Sequence, residues 1–144
     1  RVSRGPVYAW WSVPNHSALL QIVLYPILNL NYHRKDLHWY VWALEEIVIV
    51  ALAELGIQAG RKDGHRGVWV GDSKVAATGV RITRWVTMHG IAVNVRMGEH
   101  RKGFDHIVPC GISEFPVAEV ADFSPDVEVV EVRCTRRRRW GRCM

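Results

Sequence analysis

Ser73-Lys74-Val75-Ala76-Ala77-Thr78-Gly79-Val80, followed by Met88-His89-Gly90-Ile91-Ala92-Val93-Asn94-Val95, is the stretch on which the fold turns. Both runs are short, rich in branched and small apolar residues, and bounded by polar or glycine-containing positions, the pattern of strands. Gly67-Val68-Trp69-Val70 precedes them across Gly71-Asp72, a pair suited to a tight turn because glycine supplies a positive φ, so residues 68–70 and 74–82 read as a hairpin. Residues 91–95 alternate as a further strand. Beyond them Ile107-Val108-Pro109-Cys110-Gly111-Ile112 passes through a proline that cannot donate to a sheet ladder, which places Cys110 at a strand end.

Working outward, residues 19–24 form an apolar run broken only by Gln21, expected as a central buried strand stopped by Pro26. Leu37, Tyr40, Val41, Leu44, Ile47, Val48, Ala51, Leu52 and Leu55 recur at spacings of three and four, one face of a helix. Asp36 is its expected cap and Gly56 its expected end. Glu45, Glu46 and Glu54 fall off that stripe and read as a solvated face, with no partner to make Glu45 and Glu46 a catalytic pair. Residues 1–17 read as loop or sheet edge, Ser124-Pro125-Asp126 as the start of another helix, and Trp69 and Trp85 as core.

The chain has 144 residues and 49% apolar content, enough for one domain with a real core. Its net charge of +5 is concentrated in a tail over residues 133–144, which holds Arg133, Arg136, Arg137, Arg138, Arg139 and Arg142. Without those six, 13 basic residues face 14 acidic ones, and the body stands at −1. Such a basic tail, over residues 134–144, is a solvated extension or a contact for phosphates. Three cysteines, Cys110, Cys134 and Cys143, lack metal-site spacing and an even count, so neither zinc nor a disulfide framework is indicated. No apolar run reaches the ~18 residues of a membrane span, because Glu45, Glu46 and Glu54 interrupt the best one.

A free thiol with a pKa of about 8.5 is only ~3% thiolate at neutral pH, so a nucleophilic cysteine needs a nearby cation or donor-rich turn. Lys74 can serve as that cation, and Gly111 leaves backbone N–H groups open to an incoming carbonyl oxygen. Taken singly, Cys110 reads equally as an inert buried residue and Lys74 as a solvated hairpin lysine.

Four motifs in order decide between these readings. G-V-W, K-V-A-A-T-G-V, H-G-I-A-V-N-V and I-V-P-C-G-I resemble the pattern of the lipoyl(octanoyl) transferases over about residues 21–133. The resemblance implies an α/β (α+β) fold: a mixed central sheet flanked by helices, like the catalytic domain of lipoate and biotin protein ligases. It implies transfer of an octanoyl group from octanoyl-acyl carrier protein to a lysine of lipoyl domains of 2-oxoacid dehydrogenases and of glycine cleavage H protein. The route is an acyl-cysteine intermediate with Cys110 and Lys74 catalytic, and no metal, cofactor, membrane or nucleic acid. His89, Gly90, Asn94, Gly79 and Gly111 are the implied substrate-binding positions.

Where the family carries an R-G-G-x-x-T-x-H-G-P-G-Q loop, this chain reads Trp10-Trp11-Ser12-Val13-Pro14-Asn15-His16-Ser17-Ala18-Leu19-Leu20-Gln21, matching only at Gln21. That loop helps form the acyl pocket, so impaired turnover is an expectation, and residues 1–144 read as a single catalytic domain truncated at its amino terminus. The alternatives are a degenerate relative that binds acyl carrier or lipoyl domains without turnover, a basic-tailed nucleic-acid binder, and an ATP-using lipoate ligase, the last opposed by the Pro-Cys-Gly motif. Leu37-His38-Trp39-Tyr40 resembles the eukaryotic members and points to a mitochondrion, with a plastid or the bacterial cytoplasm as alternatives.

Overall fold

A computed structural model describes residues 8–12 as backbone, and residues 21–97 and 116–126 in full. Cys110, Gly111, the Pro109 turn, the arginine tail, loop residues 13–20 and any helix beyond Asp126 lie outside the described residues.

Among the described residues six strands form one sheet: β1 (Tyr8–Ser12), β2 (Gln21–Ile27), β3 (Gly60–Lys62), β4 (His65–Val70), β5 (Ser73–Thr83) and β6 (Val86–Asn94). Their order is β1-β2-β6-β5-β4-β3. All of these strand pairs are antiparallel, so the sheet is antiparallel where a mixed one was expected; the parallel contact is an isolated bridge outside the named strands, from Lys74 to Val117. One face is covered by α1 (Leu37–Glu54). Ile22, Leu24, Ile91, Val93, Ala76 and Val68 from the sheet meet Val48 and Leu52 from the helix in the main core. Leu30, Tyr40 and Leu44 make a second, smaller cluster with Val80 and Ile82.

The expected helix forms with its expected ends. The Asp36 side chain accepts from the Trp39 N–H at 3.0 Å, filling an orphan donor of the first turn. At the other end Gly56 takes φ +76°, Gly56 N–H donates to the Ala53 carbonyl at 3.0 Å, and Ile57 N–H donates to the Leu52 carbonyl at 2.9 Å. This is a Schellman ending, with Ile57 and Leu52 sharing the core. Leu37, expected on the buried stripe, is instead exposed as the first residue of the helix.

Three expectations need correction. β2 does not stop at Pro26: it continues to Ile27, paired with β1 through Pro26↔Ala9, because its ladder with β6 ends earlier, at Leu24↔Ile91. The Pro26 carbonyl is used by the Tyr40 hydroxyl at 3.0 Å and the Thr87 hydroxyl at 2.9 Å. Trp85 is no core residue. It sits 39% exposed in the two-residue β5–β6 turn, where Arg84 (φ +50°) and Trp85 (φ +65°) both take left-handed backbone without a glycine or asparagine to signal it. Finally, Glu45 is not solvated but buried, 4% exposed, and engaged by Gly67 and Arg61.

Candidate active site

Lys74 stands at the start of β5, directly after the Gly71-Asp72 turn. β4 and β5 pair as Val68↔Ala76 and then Trp69↔Lys74, so Val75 is one extra residue on β5. A bulge of this kind re-aims the neighbouring side chain. Here it sets Lys74 opposite the buried Trp69, with Nζ 4.8 Å from the ring centroid. A cation over an indole face gains about 0.5–1 kcal/mol or more. Among the described residues no carboxylate pairs with Lys74.

The backbone of Lys74 is held on its other side by the chain that follows the cysteine motif. Its N–H donates to the Pro116 carbonyl at 3.0 Å, and its carbonyl accepts from Ala118 N–H at 3.0 Å. Asn94, 7% exposed at the end of β6, donates through Nδ2 to the Ala118 carbonyl at 3.0 Å and accepts from Gln21 Nε2 at 2.7 Å. Ala118 is thus strapped between Lys74 and Asn94. Just beyond, Ala121 N–H donates to the Val95 carbonyl at 3.0 Å, the Glu119 carboxylate accepts from Met97 N–H, and Arg96 Nη2 donates to the Pro125 carbonyl at 2.5 Å. Residues 97 and 116, the two ends flanking the segment that contains Pro109-Cys110-Gly111, are therefore both fixed at the Lys74–Asn94 end of the sheet.

The remaining predicted positions lie elsewhere. Gly79 and Gly90 pair directly across β5 and β6. Gly79 is five residues from Lys74, about 17 Å at the rise of an extended strand. A Cβ at Gly79 would meet nothing within 4 Å, whereas one at Gly90 would lie 2.1 Å from the Leu24 carbonyl oxygen and 3.0 Å from Pro26 Cδ. The close approach at Gly90 is thus to β2. His89 is exposed, at φ +63°, and meets Tyr25 edge-on with ring centroids 5.5 Å apart. Sequence reasoning thus named two separate groups, Lys74 with Asn94 and the Gly79–His89–Gly90 patch. It missed Glu45 and the 116–118 strap, since neither a glutamate beside a helix stripe nor Pro-Val-Ala announces a long-range partner.

The lipoyl protein ligase A/B catalytic domain model matches residues 18–136. The chain belongs to this family. It is 50% identical over 113 residues to an octanoyltransferase of Nostoc punctiforme, covering 78% of this chain and 48% of that protein. With an octanoyltransferase of Clostridium kluyveri it shares 49% over 112 residues, 78% of this chain and 47% of the relative. The chain spans about half the length of the curated relatives it matches. Both relatives are bacterial, so they lend no support to the mitochondrial expectation drawn from residues 37–40, which here form the capped first turn of α1.

The fold is similar to that of solved structures. A biotin protein ligase from Aquifex aeolicus superposes with a TM-score of 0.69 at 18% identity, over 98% of this chain and 60% of that one. A lipoate-protein ligase A bound with ATP gives 0.68 at 18%, over 86% and 52%. The α/β fold expected from the four motifs is the one observed. Among the described residues no helix is long and apolar enough to cross a membrane.

Proposed function

We propose that this protein is an octanoyltransferase of lipoate biosynthesis, acting through an acyl-cysteine on Cys110 with Lys74 as its cationic partner. The single observation that carries the reading is the strap. Lys74, unpaired with any described carboxylate, is hydrogen-bonded to Pro116, six positions after Cys110, while the other flank of the cysteine segment is tied down at Met97. The similarity to octanoyltransferases over 78% of the chain supports the acyl group, and the intact I-V-P-C-G-I motif supports the cysteine.

The chemistry is two thioester displacements of opposite sense. Cys110 thiolate attacks the carbonyl carbon of octanoyl-acyl carrier protein, the carrier thiol leaves, and an octanoyl thioester stands on the enzyme. The amine of the acceptor lysine, on a lipoyl domain of a 2-oxoacid dehydrogenase or on glycine cleavage H protein, then attacks that thioester. An amide forms and Cys110 thiolate leaves. The Lys74 ammonium favours the thiolate in the first step. Having given its proton to the departing carrier thiolate, Lys74 as the neutral amine helps in the second step to take a proton from the acceptor ammonium, of which only about 0.04% is neutral at pH 7 for a pKa of 10.4, and the second proton lost on amide formation passes to solvent.

Transfer is measured as the octanoyl mass gained by an acceptor lipoyl domain. Lys74→Ala is expected to slow it by about 10²–10⁴-fold, the range for loss of a positioned proton-transfer group, with the variant folded by circular dichroism. Undiminished transfer would remove Lys74 from the mechanism. Binding of carrier or lipoyl domain with no transfer by the unaltered chain would instead favour the non-catalytic reading, which the single match of residues 10–21 to the family loop motivates.

A further inference from the structure

We propose that Glu45, buried on α1, is a positioning residue for Lys74, an assignment that rests on the role given to Lys74 above. Glu45 lies beside Val41, Leu44 and Val48 on the covered side of the helix, where an aliphatic side chain would pack without cost. A lone carboxylate there is destabilising unless both oxygens are engaged. Both are. Oε2 accepts from Arg61 Nε at 3.3 Å, and Oε1 accepts from Gly67 N–H at 2.9 Å. The guanidinium is itself clamped: Arg61 Nη2 donates to Glu46 Oε2 at 2.8 Å and to the Trp42 carbonyl at 2.9 Å, and it stacks 4.5 Å from the Trp42 ring. Arg61 therefore fixes the carboxylate, and the carboxylate fixes Gly67.

Gly67 is the piece that bears on the lysine. Its φ of +110° belongs to glycine, and a Cβ there would lie 2.3 Å from the Ala76 carbonyl oxygen and 3.6 Å from Lys74 Cδ. The lysine stem thus passes over the space left by the missing side chain, one residue before the bulge that sets Lys74 opposite Trp69. A hydrogen bond from strand to helix holds this glycine, and the glycine sets where the ammonium sits.

Three variants and one measurement on the unaltered chain test this. Glu45→Met fills the space without an acceptor, a replacement that buried charges often tolerate. Glu45→Gln keeps an acceptor for Gly67 N–H, and Glu46→Ala removes the surface partner of Arg61 without touching Gly67. The readouts are the pH profile of Lys74 labelling by an amine-reactive reagent, followed by peptide mass, and kcat and KM for octanoyl transfer. Glu45→Met should displace the labelling profile and lower kcat by about 10–100-fold with KM little changed, the scale of an ångström-sized misplacement. Glu45→Gln should return most of both, and Glu46→Ala should alter neither.

A folded Glu45→Met variant with the unaltered labelling profile, or a Glu45→Gln variant as impaired as Glu45→Met, overturns the proposal. Loss of transfer in Lys74→Ala with labelling indifferent to Glu45 sinks this inference alone. Intact transfer in Lys74→Ala sinks the role of Lys74 itself. Should Glu45→Met fail to fold, amide exchange at Gly67 in the unaltered chain decides: strong protection is expected, and exchange at the rate of an open peptide contradicts the hydrogen bond on which everything here depends.

Discussion

Two glycines that face each other across β5 and β6 illustrate how little a residue's type says about its task. Gly90 is pressed against the backbone of β2, and Gly79 faces open space. Gly90→Ala must push Leu24 away and is expected to cost about 1–3 kcal/mol, the scale of overpacking, whereas Gly79→Ala stays within about 0.5 kcal/mol. Urea unfolding midpoints check the contrast; equal midpoints would mean that β2 yields freely. Both glycines look alike in sequence because the difference is made by a strand 60-odd positions away. Glu45 was illegible for a related reason: its neighbours within the helix say only that it is beside the apolar stripe, and its partners Arg61 and Gly67 come from two strands that follow. Asn94, an implied substrate-binding position, makes a buried bond to the Ala118 carbonyl and a part-buried one from Gln21.

At the scale of elements, α1 was readable almost to the residue because its signals are local: a cap three residues from its donor and a glycine that ends it. Its cap gives the helix a definite response to acid. The Trp39 N–H, and beyond it the Arg34 guanidinium, hold the Asp36 carboxyl below its ordinary value against a smaller opposing effect of desolvation. A carboxyl whose pKa is depressed in the folded state contributes stability above its unfolded value, and that contribution is lost as pH falls through the folded value. Asp36→Ala is therefore expected to lower Tm at pH 7 and to narrow the gap from the unaltered chain as pH drops below ~4. A gap that stays constant with pH, followed by thermal melts monitored at 222 nm, would mean the carboxylate does not act as the cap. The hairpin across Gly71-Asp72 was equally local. The Arg84-Trp85 turn was not, since its left-handed backbone is held by tertiary bonds, Leu30 N–H to the Trp85 carbonyl at 2.7 Å and Asn31 Nδ2 to the Arg84 carbonyl at 3.4 Å.

In the whole molecule, an antiparallel sheet brings the ends of distant strands together, which is how Lys74 and Asn94 come to grip the same residue, Ala118. Spacing along the chain could not show that meeting; motif order could suggest it. The proposed function requires Cys110 to be a nucleophile whose reactivity depends on Lys74. It is tested most directly by intact mass after incubation of the chain with octanoyl-acyl carrier protein. The predicted result is one octanoyl adduct, retained in Cys134→Ala and Cys143→Ala, absent in Cys110→Ala, and formed more slowly in Lys74→Ala. An octanoyl adduct that persists on the Cys110→Ala variant would contradict it.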